Sequence, residues 1–255
     1  MLLTDGNPND TVDLQTYESA ILNVASTEGI DVDVKLSLAT EEISETVVDI
    51  LLDHTRSVDP ISNIRRTIGV SDVVVTSQMK RWHALHTLAV IYRDAFNNQL
   101  NDRYQQKLKE YRELSRNAKE NTVKFGIGLA LNPIPQAQTP ALSSTSGTIP
   151  ATLYYVQASW VSATGQEGAP SELTTFETPA ASAMVVAGVN PPSNATGLNV
   201  YVGLTDDSVK LQTATPIPVG QSFTLPGPGL AAGRAPGTGQ APDIYVTGGQ
   251  TLRRG

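Results

Sequence analysis

From Val12 onward the apolar residues Leu14, Tyr17, Ile21, Leu22 and Val24 recur at close to helical spacing, and Gly29 stands where such a run should stop. Side chains three and four apart share one helix face, so this spacing predicts a first amphipathic helix. Thr40 is the expected N-cap of a second helix. Glu41 and Glu42 follow it in the first turn, where carboxylates favour the helix dipole, and Ile43, Val47, Ile50 and Leu51 form its apolar stripe. Asp59-Pro60 and Gly69 then mark a loop. The strongest period follows, with Met79, Trp82, Leu85, Leu88, Ala89, Tyr92 and Phe96 on one face, continuing through Leu100, Tyr104, Leu108, Tyr111, Leu114 and Ala118. Arg93, Asp102, Lys109, Glu113, Arg116 and Glu120 occupy the wet face. Residues 77–122 read either as one very long helix or as two in tandem, broken at Asn97-Asn98. A single helix of that length would reach about 70 Å and would project from its domain or pack against a neighbour.

After Leu131 the helical period ends. Asn132-Pro133-Ile134-Pro135 and the following residues to Pro140 predict an extended linker. Beyond Pro150, the stretch Leu153-Tyr154-Tyr155-Val156-Gln157-Ala158-Ser159-Trp160-Val161 is β-branched and aromatic enough to be a strand. Gly165-Gln166-Glu167-Gly168-Ala169-Pro170 reads as a turn, and further strands are expected over 173–177, 183–189, 198–204, 209–213 and 222–225. Short strands punctuated by Pro, Gly and Asn describe a small antiparallel sandwich. Ile244-Tyr245-Val246, with Gly248-Gly249 and Arg253-Arg254 behind it, reads as a loose arm. The expected fold class is therefore α+β in separate domains. A helical bundle with a long helix spans 1–131, a Pro/Ser-rich linker 132–149, an antiparallel β-sandwich 150–232 and an arm 233–255.

Charge sharpens that division. Of 43 charged residues, 33 lie in residues 1–132. Within this half, residues 1–60 carry a net charge of −11 and residues 61–132 one of +6. Opposed blocks can neutralise each other inside one bundle or pair between subunits. The absence of cysteine excludes disulfides, thiolate zinc sites and thiol nucleophiles. The opening Met1-Leu2-Leu3-Thr4-Asp5 lacks a basic n-region and does not read as a signal peptide. No apolar run approaches the roughly 18 residues of a membrane span. The expectation is a soluble protein made in the cytoplasm.

Motifs that would carry chemistry are sparse. His83 and His86 would lie close on a helix, but neither a Glu-x-x-His nor a His-x-x-x-His pattern accompanies them, so they read as helix-surface or interface histidines. Asp31-Val32-Asp33 fails as a calcium loop because Lys35 occupies the next ligand position. Gly126-x-Gly128 lacks a third glycine and follows a helix, so it is no dinucleotide fingerprint. There is no Walker lysine and no Gly-x-Ser-x-Gly elbow. Asn194-Ala195-Thr196 matches a glycosylation acceptor, which has no meaning without secretion. Neither catalytic residues nor a metal or cofactor site is expected. Arg103, Lys107, Lys109, Arg112, Arg116, Lys119 and Lys124, interleaved with Tyr104 and Tyr111, form a basic stripe that would tolerate passing nucleic acid. The glutamates mixed into it and the acidic balance of the whole chain argue against sequence-specific binding.

Two stretches carry a resemblance. His86-Thr87-Leu88-Ala89-Val90-Ile91-Tyr92-Arg93-Asp94, with Asn101-Asp102-Arg103-Tyr104 and Lys107-Leu108-Lys109-Glu110-Tyr111, resembles the long helices of head-to-tail adaptor (neck) proteins of tailed bacteriophages over residues 10–130. Tyr155-Val156-Gln157-Ala158, Gly165 to Glu172 and Gly197-Leu198-Asn199-Val200-Tyr201-Val202 resemble the fibronectin-III or immunoglobulin-like modules of phage virion proteins. The resemblance implies a structural virion protein. It would form a ring, of twelve subunits, between the portal protein and a tail or second neck protein, and the genome would pass through it. Adaptors of this family normally lack such a module, and outward decoration of the neck is the role expected for it. A closing ring needs two unlike faces on each subunit. Glu41, Glu42 and Glu45 are the candidate acidic face, Arg103, Lys107, Arg112 and Arg116 the basic one. Ile244, Tyr245, Val246, Arg253 and Arg254 are the candidate partner-docking arm. The alternative is a tail-associated receptor- or glycan-binding component that stacks sugars on Trp160, Tyr154, Tyr155 and Tyr201, against which stands the reading that these aromatics fill the β core.

Overall fold

The computed structural model describes residues 1–57, 68–99, 102–225 and 227–247. They divide into two compact units that interleave along the chain. One holds Gly6–Leu131 and residues 242–247, the other Asn132–Ala241 and Met1–Asp5.

The helical unit contains α1 (Thr11–Tyr17), α2 (Ile21–Glu28), α3 (Val32–Ser57), α4 (Ser77–Gln99) and α5 (Gln105–Phe125). The first predicted helix is two. Asp10 opens α1 through a capping box with Asp13, and the backbone turns extended at Glu18 before α2 begins. Gly29 ends α2 in the left-handed region at φ 66°, a conformation that costs glycine least. α3 starts eight residues ahead of the expected cap. Asp31 Oδ1 accepts hydrogen bonds from the N–H groups of Asp33 (3.0 Å) and Val34 (3.1 Å), so Asp31 is the true N-cap. Thr40 sits inside the helix, its hydroxyl within reach of Leu36 O and Asn7 Oδ1. The loop expected at Asp59-Pro60 lies outside the described residues.

α4 is buried nearly all round, with Met79, Trp82, Leu85, Leu88, Ile91, Tyr92 and Ala95 shielded from solvent. A helix apolar on every side must be surrounded. α1, α2, α3 and α5 pack against it. α5 covers α4 as its antiparallel partner, with Tyr92 stacked on Tyr111 at 5.4 Å and 7° and His86 beside Ser115. Of the two alternatives for residues 77–122, the structure therefore contains two helices, folded back on each other instead of projecting. The apolar stripe of α5, including Leu108, Tyr111 and Ala118, is the cover that α4 requires.

Ten strands follow among the described residues: β1 (Ile127–Leu129), β2 (Ala141–Ile149), β3 (Thr152–Ser162), β4 (Thr174–Thr178), β5 (Ser182–Ala187), β6 (Ala195–Gly203), β7 (Lys210–Leu211), β8 (Ile217–Pro218), β9 (Ser222–Thr224) and β10 (Ile244–Val246). β1 and β10 pair antiparallel within the helical unit. In the β unit one sheet has the order β2-β5-β9 and the other β4-β3-β6-β7, with β8 also on β6. The long central pair aligns Val156 with Val202 and Trp160 with Leu198. Side chains of both sheets fill one core, among them Tyr154, Val156, Trp160, Met184, Val186, Leu198 and Val200.

Two boundaries differ from expectation. Residues 132–149 are not a linker, because Ile134, Ala137 and Ile149 are buried in the β core and β2 lies among them. The Pro-rich stretch is fastened by its backbone: Ile134 N–H donates to Gln240 Oε1 (3.0 Å) and Gln136 N–H to Asp5 Oδ1 (2.8 Å). Nor are 244–246 a loose arm. They form β10, and Val246 is only 3% exposed.

Candidate functional site

The two charge blocks meet inside the helical unit. Lys107 Nζ reaches Glu18 Oε2 at 2.8 Å, and the Tyr111 hydroxyl donates to the same oxygen at 3.0 Å. The Lys107 hydrogen bond, helped by Tyr111, holds the Glu18 carboxyl below its ordinary range despite partial burial. Lys35 pairs with Asp94, Arg93 approaches Glu42 (3.9 Å), and Lys80 stands 4.0 Å from Asp13. Neutralisation within the bundle thus accounts for Lys107 and Glu42. Arg103 lies over the Tyr104 ring, 5.2 Å from its centroid.

What remains is two exposed rows. Glu41, Glu45 and Asp49, four residues apart along α3, face solvent and make no ion pair among the described residues. On α5, Arg112, Arg116 and Lys119 are exposed at spacings of four and three, which places them on one helix face. Arg116 has only a 4.0 Å approach to Glu120, with both side chains about two-thirds exposed, an arrangement worth almost nothing in water.

Three of these residues converge on a cleft of about 310 Å³ between α3, α4 and α5. Ile43, Trp82, Ala89 and Val90 give it an apolar lining, and Arg93, Arg112, Arg116 and Lys119 supply its positive charge. Glu42, the one carboxylate among the described residues that line it, is bonded to His86 Nε2 at 2.6 Å. His86 Nδ1 lies 3.2 Å from Ser115 Oγ, so Ser115, His86 and Glu42 form a continuous hydrogen-bonded chain. The order is that of a nucleophile, base and orienting acid. Ser115, however, is in the middle of α5, where the neighbouring N–H groups are consumed by the helix. The backbone around it therefore supplies no oxyanion hole, and the hydrogen bonds orient the imidazole at the cleft. The sequence reading missed this grouping because α3, α4 and α5 contribute one member each.

His83 does not share that cleft. It is fully buried, contrary to the surface or interface position expected from its spacing. Asn9 Nδ2 donates to Nδ1 (2.9 Å), while Nε2 faces Leu36 O (3.1 Å) and Thr40 Oγ1 (2.9 Å). Burial pulls its pKa down to about 4, so the ring is neutral and ties the N-terminal segment and α3 to α4. Among the described residues, no three His, Asp or Glu side chains gather to hold a metal ion.

In the β unit, Glu167 organises a second polar group. Ser159, Asn199 (3.0 Å) and the Tyr201 hydroxyl (2.5 Å) all donate to Oε1, and Arg234 pairs with Oε2. Burial alone would push this carboxyl up, but the four donors hold it below its ordinary value. The candidate sugar-stacking residues are largely hidden: Tyr154 and Trp160 lie in the core, and Tyr201 is buried on the opposite face of β6 beneath Glu167 and Arg234. Tyr155 is half-buried. The period of two along a strand separates 198, 200 and 202 from 199 and 201.

Of the docking-arm residues, Ile244, Tyr245 and Val246 are paired with β1 and only Tyr245 is well exposed; Arg253 and Arg254 lie outside the described residues. No helix among the described residues is long and apolar enough to cross a membrane. The chain matches no known family model and no curated protein.

Proposed function

We propose that this chain is a structural virion protein, a head-to-tail adaptor that assembles into a closed ring between portal and tail. The observation that carries the reading is the pair of exposed, oppositely charged rows on a packed helical unit, Glu41, Glu45 and Asp49 on α3 and Arg112, Arg116 and Lys119 on α5, which among the described residues make no ion pair closer than the 4.0 Å approach of Arg116 to Glu120. A heterologous interface needs two unlike complementary surfaces on each subunit, and these rows supply them. The β unit is an immunoglobulin-like module appended to the adaptor. In its favour, β3-β6-β7 beside the pair β2-β5 follows the C-F-G and B-E pairing of that sandwich, with β4 in the place of C′. Light scattering and electron microscopy of the purified protein test the reading: closed rings are expected, and a strictly monomeric protein at high concentration sinks it. Reversing Glu41 and Glu45 to Lys should shift the assembly toward smaller species.

A further inference from the structure

We infer that the cleft between α3, α4 and α5 is a binding site for a phosphoryl group. Arg112, Arg116 and Lys119 form a ladder of like charges on α5, and Arg93 lines the cleft from α4. Like charges one helix turn apart repel, so the ladder carries a small standing cost in the empty protein. Glu42, a carboxylate of the cleft, is bonded to His86 at 2.6 Å and lies 3.9 Å from Arg93, and it makes no ion pair with the ladder on α5. A concave site with two guanidinium groups from one helix face, a third from the facing helix and an ammonium beside them suits an oxyanion, because planar guanidinium forks match phosphate oxygens. The volume of about 310 Å³ admits a phosphoryl group with part of the molecule that carries it. The shared chemistry has two sources, a free phosphate or mononucleotide, or the backbone of a nucleic acid.

Calorimetric titration of the full chain at low ionic strength separates them, with inorganic phosphate, deoxyadenosine monophosphate and a short DNA duplex as three probes. At least one probe should bind, and R112Q together with R116Q should weaken it by about tenfold per guanidinium. Both positions are exposed, so unchanged circular dichroism and melting will show that the variant folds. Binding of the two small probes alone assigns a free anion, and binding of duplex alone assigns a backbone. Either supports the site. If no probe binds, or the double variant binds as the parent does, the inference is overturned. It also falls if phosphate has no effect while the same substitutions dissolve an oligomer, since the cleft is then filled by a neighbouring copy. Arg112 and Arg116 also stand in the basic row of the adaptor reading, so ring formation is read separately by light scattering on the same samples, and loss of that reading leaves the anion site standing.

Discussion

His83 shows how much a single buried side chain can commit. Its folded pKa of about 4 lies below the unfolded value of 6.5. As pH falls below 6.5 the unfolded chain takes up a proton that the folded protein refuses, so stability drops by up to roughly 1.4 kcal/mol per pH unit until the folded pKa is reached. Glu18 and Glu167, whose pKa values are depressed, lose their contributions only below the ordinary carboxylate value of 4.5. Between pH 6.5 and 4.5, urea melts of the wild type should therefore fall more steeply than those of His83→Gln; equal slopes would show that the ring is not buried neutral. Glu167 makes a complementary case. Glu167→Ala leaves Ser159, Asn199 and Tyr201 without their shared acceptor, and the expected loss is about 3 kcal/mol, measured as a lower denaturation midpoint of the β unit.

At the scale of elements, the period of 79–96 was legible as a helix, and its near-complete burial became clear only with α5 laid against it. Sequence spacing orders residues on a face but does not say which faces meet. β2 was illegible for a related reason. It is a Ser/Thr-rich edge strand exposed over most of its length, so it lacks the alternation that marks half-buried strands. β10 was mistaken for an arm because three residues carry too little pattern to be distinguished from a tail. Its pairing with β1 predicts that truncation after residue 241 destabilises the helical unit, since loss of the buried Val246 alone removes about 2 kcal/mol of apolar burial. Thermal melting of the truncated chain checks this, and an unchanged midpoint would remove β10 from the fold's foundations.

The interleaved units set the scale of the whole molecule. Because Met1–Asp5 belongs with the β unit and residues 242–247 with the helical unit, a cut at residue 132 does not separate two complete domains. Residues 6–131 expressed alone should melt below the same residues joined to 242–247, as scanning calorimetry will show. The amino-acid sequence alone determined the division into a charged helical part and a weakly charged β part, the long central period, the Gly29 stop and most of the central strands. These follow from local backbone preference and from the spacing of apolar residues, which short stretches of chain carry by themselves. Tertiary structure alone decided that α4 and α5 fold back on each other and that Ser115, His86 and Glu42 meet at one cleft. The physical reason is the same in both cases: covers and convergent polar groups depend on side chains 29 to 44 residues apart, and only packing brings those together.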